Sequence, residues 1–214
     1  MKLLTLGDSF TYGAELEDKN KAWPSVLGDL TESTVINLGD PGCANWRMIR
    51  WGIEHASSAD LVIVAWSSFI REEYADEDGD FVLWANHNPQ WYNDKPPYRK
   101  ELIKYITVHH NLDYMYRRYL NYVILFQSYL KNINKKYLML DVFGNQHAPQ
   151  RRYKSNKDLI DQIDTRYYLG WPNESMAEWT RGVQKGPGGH FLDDGHKKVA
   201  DKINEHIRHL GWVS

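Results

Sequence analysis

Cysteine is nearly missing from this chain: Cys43 stands alone among 214 residues. An internal disulfide is therefore excluded, and the composition fits a reducing compartment. No stretch approaches the roughly eighteen consecutive apolar residues that a membrane-crossing helix needs. A surplus of one charge is lacking too. The formal net charge is −2 at pH 7, so no molecule-wide field draws the chain to nucleic acid or to a membrane surface. The basic run Gln150-Arg151-Arg152-Tyr153-Lys154 is too thin for a phosphate-binding stripe and reads as solvated loop. A secretory leader is not expected, because Asp8 interrupts the apolar start, and the expected location is cytoplasmic. Internal repeats, low-complexity tracts and domain linkers are all wanting.

What is present is an ordinary globular mix, 42% hydrophobic and 25% charged, in a length that suits one domain with a substantial core. Leu3-Leu4-Thr5-Leu6, ended by Gly7, reads as a short buried strand over 2–6. Trp23, Val26, Leu27 and Leu30 fall at helical spacing, with Pro24 tolerable in a first turn. A second strand over 35–38 closes at Gly39, and a second helix follows with Asn45 as its candidate N-cap. The run 61–66 is continuous and β-branched, as in a strand buried on both faces. A long helix is predicted along Leu112, Met115, Tyr119, Val123, Phe126 and Leu130, then a strand over 137–142, then a closing helix through Val199, Ala200, Ile203 and Ile207. Strands alternating with helices predict an α/β fold, three-layer α/β/α with a mostly parallel central sheet. Two irregular stretches, about 71–111 and 146–189, the second with local helical signals, read as insertions into a single domain over 1–214.

In such a sheet the active site sits at the carboxyl ends of the strands. Gly7-Asp8-Ser9, Gly39-Asp40-Pro41-Gly42, Ser67-Ser68 and Gly144-Asn145 all fall there. A serine directly after the first strand can point its hydroxyl into the crevice while its own N–H faces a developing oxyanion. It needs a base, and Gly188-Gly189-His190, just before the last helix, can return a histidine to the first strand. The same residues also suit a capping serine and a surface histidine.

Gly7-Asp8-Ser9-Phe10-Thr11-Tyr12-Gly13 resembles the first block of the SGNH (GDSL-like) hydrolases. Asn37-Leu38-Gly39-Asp40-Pro41-Gly42 resembles their second block, and His190-Phe191-Leu192-Asp193-Asp194-Gly195-His196 their last. The blocks run in order from residue 2 to about residue 203. Gly42-Cys43-Ala44-Asn45 and Arg50 are similar to a branch common in bacteria and their phages, so a virion location stays open beside the cytoplasmic one. The resemblance implies Ser9 as nucleophile, His190 as base, and the N–H groups of Ser9 and Gly42 as oxyanion donors, with no metal and no cofactor.

Two departures stand out. The third block carries an Asn that donates to the oxyanion, but here the chain reads Ala65-Trp66-Ser67-Ser68-Phe69. Ser68 or Ser67 can replace it, or Asn45 can reach across. The family's triad aspartate lies three residues before the histidine, where this chain has Pro187. That leaves a Ser–His dyad, another carboxylate, or a rival register in which Asp193 and His196 form the literal Asp-x-x-His pair. Asp193 also suits the N-cap of the last helix. His190, Asp193 and His196 match no metal-ligand motif, and His109-His110 reads as loop. The leading expectation is a serine ester hydrolase acting on a small acyl ester such as an O-acetylated carbohydrate. The alternative is a non-catalytic carbohydrate-binding or structural protein with a degenerate site. Trp84, Trp91, Tyr92 and Tyr98 in the first insertion either stack on sugar rings as a lid or pack that insertion onto the core.

Overall fold

Alternation along three strands decides the layers of the molecule. The structure is a computed structural model describing residues 1–76, 79–84, 97–109, 111–144 and 150–213. Its central sheet contains β1 (Lys2–Gly7), β2 (Thr34–Gly39), β3 (Leu61–Trp66), β6 (Lys136–Asp141) and the short β7 (Tyr168–Leu169). Their order is β2-β1-β3-β6-β7, and every pairing is parallel. Leu4, Leu6, Val62, Val64, Trp66 and Met139 face one side, against Met48 and Ile49 of α3 (Asn45–His55) and Tyr116, Tyr119, Val123 and Phe126 of α5 (Leu112–Asn132). Leu3, Leu61, Ile63, Ala65, Leu138 and Leu140 face the other, against α2 (Trp23–Leu30) and α9 (Asp193–His209). Each such side chain taken from water contributes about 1.5–3 kcal/mol, so the two faces together hold the three layers.

Both strands beside β1 follow a crossover, and they lie on opposite sides of it. The chain direction across the sheet therefore reverses between β1 and β3, which opens a crevice at their carboxyl ends. Close backbone approach shapes this end. A Cβ on Gly7 would lie 2.0 Å from Thr11 Oγ1, and one on Gly39 would lie 2.4 Å from the Tyr12 nitrogen. Glycine at both strand ends lets the short α1 (Ser9–Tyr12) rest directly on β1 and β2.

The predicted strands 2–6, 35–38, 61–66 and 137–142 are thus present, within a residue at their ends. The first insertion differs from the expectation. The stretch read as irregular over 71–111 holds an antiparallel hairpin, β4 (Arg71–Asp76) with β5 (Gly79–Trp84), and the helix α4 (Pro97–His109). The hairpin was hidden because two of its acidic residues are paired within the protein: Glu73 with Arg47 and Arg50 of α3, and Glu72 with Arg118 of α5. His109 ends α4 and is helical rather than loop, while His110 lies outside the described residues. The second stretch, 146–189, contains α6 (Gln150–Ser155), α7 (Lys157–Ile160), β7 and α8 (Met176–Trp179), so the basic run at 150–154 is helical. Asn45 is the first residue of α3 and not its cap; Ala44 holds the N-cap position. Asp193 likewise lies inside α9, with Leu192 at the cap.

Candidate active site

Ser9 follows β1 at the start of α1, and the turn that carries it is fixed by its neighbour. Asp8 is fully buried. Its Oδ1 accepts the Phe10 N–H at 3.1 Å and its Oδ2 accepts from Ser67 Oγ and Arg71 Nη1, both at 2.8 Å. One carboxylate therefore ties the ends of β1 and β3 to the root of the β4–β5 hairpin. Charge balance and hydrogen bonding make this burial tolerable.

His190 arrives from the opposite end of the chain. Residues 184–192 form a tight loop in which Lys185 and Phe191 bridge and the Gly186 N–H donates to the His190 carbonyl at 2.8 Å. Gly189 turns the loop with φ of +86°, a left-handed conformation that favours glycine. The loop places His190 Nε2 2.8 Å from Ser9 Oγ. Phe10 packs against the imidazole at 4.7 Å between ring centroids and limits its rotation. The other ring nitrogen, Nδ1, lies 2.8 Å from Glu15 Oε2. Glu15 also accepts the N–H groups of Gly188 at 2.6 Å and His190 at 3.1 Å. The Gly188 N–H first, then the imidazole and the His190 N–H, hold its carboxyl below the usual carboxylate range. Sequence reasoning missed Glu15: the contact spans 175 residues and leaves no local signature.

Ser9 and His190 open into a cavity of about 880 Å³ that Gly42 and Arg71 also line. Ile70, Val142, Phe143, Ala177 and Phe191 give it an apolar lining. Gly42 has φ of +82°. Arg71 is the second residue that the sequence did not point to; its guanidinium lies over the Phe143 ring at 5.4 Å.

Of the expected replacements for the third-block Asn, Asn45 and Ser67 are engaged elsewhere. Asn45 Nδ2 donates to the carbonyls of Ser67 at 3.1 Å and Ser68 at 3.4 Å, and its Oδ1 accepts the Ser67 N–H at 2.9 Å. Asn45 thus locks the end of β3 and does not reach the cavity. Ser67 gives its hydroxyl to Asp8, and Ser68 does not line the cavity.

The rival register is not assembled. His196 is buried in the first turns of α9, where its Nδ1 accepts the Trp23 N–H at 3.1 Å and its ring lies 4.5 Å from that of Phe191. Burial pushes it down to about 4, so it is a neutral ring holding the start of α2. Asp193 pairs with Lys21 at the surface. His190, Asp193 and His196 consequently point to three different partners, and among the described residues no group of His, Cys, Asp or Glu is arranged to hold a metal. No helix among them is long and apolar enough to cross a membrane. Of the aromatic residues considered as a lid, Trp91 and Tyr92 lie outside the described residues. Trp84 ends β5, and Tyr98 is half exposed on α4 without lining the cavity.

This architecture is that of the SGNH/GDSL hydrolases. A G-D-S-L family lipolytic protein from Veillonella parvula superposes with a TM-score of 0.52 at 13% identity, over 96% of this chain and 97% of that one. The psychrotrophic esterase EstA from Pseudoalteromonas gives 0.57 at 14% identity, over 98% and 97%. A two-domain esterase active on acetylated mannans gives 0.53 at 15%; 98% of this chain matches 49% of that one. No curated protein matches the sequence. By sequence, the chain belongs to a family of unknown function (DUF6071), whose model matches residues 11–214.

Proposed function

We propose that this protein is a carboxylic ester hydrolase with Ser9 as nucleophile and His190 as general base. The observation that carries the reading is the 2.8 Å contact between Ser9 Oγ and His190 Nε2 in the lining of a cavity that Gly42 shares. Ser9 Oγ attacks the ester carbonyl carbon while its proton passes to His190 Nε2. The oxyanion of the tetrahedral intermediate takes hydrogen bonds from the N–H groups of Ser9 and Gly42, with the Arg71 cation nearby. Collapse expels the alcohol, which leaves with the proton held by His190. Water then gives a proton to His190 and attacks the acyl-serine, releasing the carboxylic acid and the free serine.

The cavity volume is that of a small-molecule site. Its apolar lining suits the acyl part of the substrate, and its open side suits the alcohol. Likeness in fold to an esterase active on acetylated mannans favours an O-acetylated carbohydrate. A fluorophosphonate reagent tests the nucleophile without knowledge of the substrate. Ser9 Oγ bonds to phosphorus as fluoride leaves, and the expected result is a single adduct on the peptide containing Ser9, absent from Ser9→Ala. Hydrolysis of p-nitrophenyl acetate should fall in the same variant to the uncatalysed rate. An unlabelled parent, or equal hydrolysis by both proteins, returns the chain to the non-catalytic alternative.

A further inference from the structure

We infer that Glu15 is the positioning carboxylate of this site, holding His190 in the tautomer that can accept the Ser9 proton. The inference rests on the Ser9–His190 reading and replaces the aspartate that the family pattern would put at position 187. Proline there offers neither a carboxylate nor an N–H.

The hydrogen-bond pattern carries the argument. An ionised carboxylate can only accept. Glu15 Oε2 lies 2.8 Å from Nδ1 of His190, so Nδ1 bears the ring proton. Nε2 is then left with its lone pair toward Ser9 Oγ, 2.8 Å away. Two backbone N–H groups from the same loop bind the same carboxylate. Glu15 therefore fixes both the ring and the loop that presents it.

The local backbone is built around that contact. Glu15 has φ of +65°, a left-handed conformation that is uncommon for a residue with a side chain. The conformation is held from both sides. Lys19 Nζ donates to the carbonyls of Gly13 at 2.7 Å and Leu16 at 3.2 Å. Across the contact, a Cβ on Gly186 would lie 2.7 Å from the Glu15 carboxyl carbon, and one on Gly188 would lie 3.0 Å from its Oε2. Both glycines leave room for this carboxylate. An acid that comes from the loop after the nucleophile, not from the histidine's own segment, makes the site a closed chain of contacts. That chain runs Ser9, His190, Glu15 and back through α1.

A merely structural staple would produce the same contacts, so the test must read the tautomer and the rate separately from the fold. Glu15→Gln keeps the length, and its amide can donate to Nδ1, which moves the ring proton to Nε2. The expected result is a fall in kcat for p-nitrophenyl acetate of about 10²–10⁴-fold, by analogy with aspartate-to-asparagine changes in serine hydrolases. KM should stay within about threefold, and the acid limb of the kcat/KM profile should move. In the unmutated protein, ring nitrogen NMR at neutral pH should show His190 protonated at Nδ1 and bare at Nε2, assigned by its loss in His190→Gln. The same tautomer should persist in Ser9→Ala and be lost in Glu15→Gln. A parent tautomer protonated at Nε2, or a folded Glu15→Gln with kcat within about threefold of the parent, overturns the inference. If Glu15→Gln fails to fold, the parent tautomer still decides. If the tautomer is as expected but Ser9→Ala keeps full activity, it is the hydrolase reading that fails.

Discussion

His190 and His196 are six residues apart and live in opposite surroundings. The first sits in a glycine-bearing loop, about a fifth exposed, with a partner on each ring nitrogen. The second sits inside a helix, 1% exposed, with its Nδ1 accepting a backbone N–H. The difference teaches that backbone context assigns the roles. A loop can aim a ring across the molecule, whereas a helix commits its side chains to whatever it packs on. In α9 that is the start of α2, and His196 serves as the acceptor that the Trp23 N–H would otherwise lack.

Alanine at each histidine is the strongest way to break this comparison. His190→Ala removes the proposed proton acceptor, and kcat/KM for p-nitrophenyl acetate should fall by several orders of magnitude at nearly unchanged stability. His196→Ala should do the reverse. It leaves a buried N–H unpaired and a void beside Phe191, so unfolding should become easier by about 2–4 kcal/mol. Its rate should stay within about tenfold of the parent. Urea unfolding and steady-state kinetics on both variants check the pair. A swap of the two phenotypes would reassign the base to His196.

A titration sharpens the same contrast with a smaller effect. Burial lowers His196 from an ordinary value near 6.5 to about 4. The unfolded chain therefore takes up this proton first as pH falls. The contribution of the neutral ring is complete above about pH 6.5 and is lost progressively toward pH 4. At about 1.4 kcal/mol per unit, the loss amounts to about 3 kcal/mol across that window. Burial also lowers His206, which acts in the same direction in parent and variant alike. Stability measured between pH 7 and pH 4 should thus fall more steeply in the parent than in His196→Ala. Parallel curves would mean that His196 titrates normally.

The centre of the sheet was legible in the sequence because β3 is apolar on both faces, with Leu61 to Trp66 buried throughout. Ser9 and His190, the proposed nucleophile and base, stood out in the sequence because short blocks carry them. The β4–β5 hairpin was not, since charged residues at Glu72 and Glu73 resemble a solvated loop until Arg47, Arg50 and Arg118 are known to face them. β7 is two residues long and leaves no periodicity. Glu15 was not legible either. Nothing local separates it from Glu17 or Asp18, and only the fold brings the 184–192 loop against it. Asn45 shows a related ambiguity: a polar side chain near a strand end is as readily spent on securing the backbone as on substrate.

The smallest expected effect belongs to Asp193, and it separates the two registers most cleanly. As an ion-pair partner of Lys21, Asp193 is half exposed, and so is the lysine. Pairs of this kind contribute little, because water screens them and both side chains lose freedom in forming them. Its place in the first turn of α9 adds a modest favourable interaction with the helix dipole. Asp193→Asn should accordingly shift Tm by no more than about 2–3 °C and leave kcat and KM as they are. Were Asp193 the acid of an Asp-x-x-His triad, the same change would lower kcat by about 10⁴-fold, because the histidine would lose its orienting carboxylate. Melting and steady-state kinetics on this one variant tell the two apart, and Glu15→Gln measured beside it should show the rate loss that Asp193→Asn lacks.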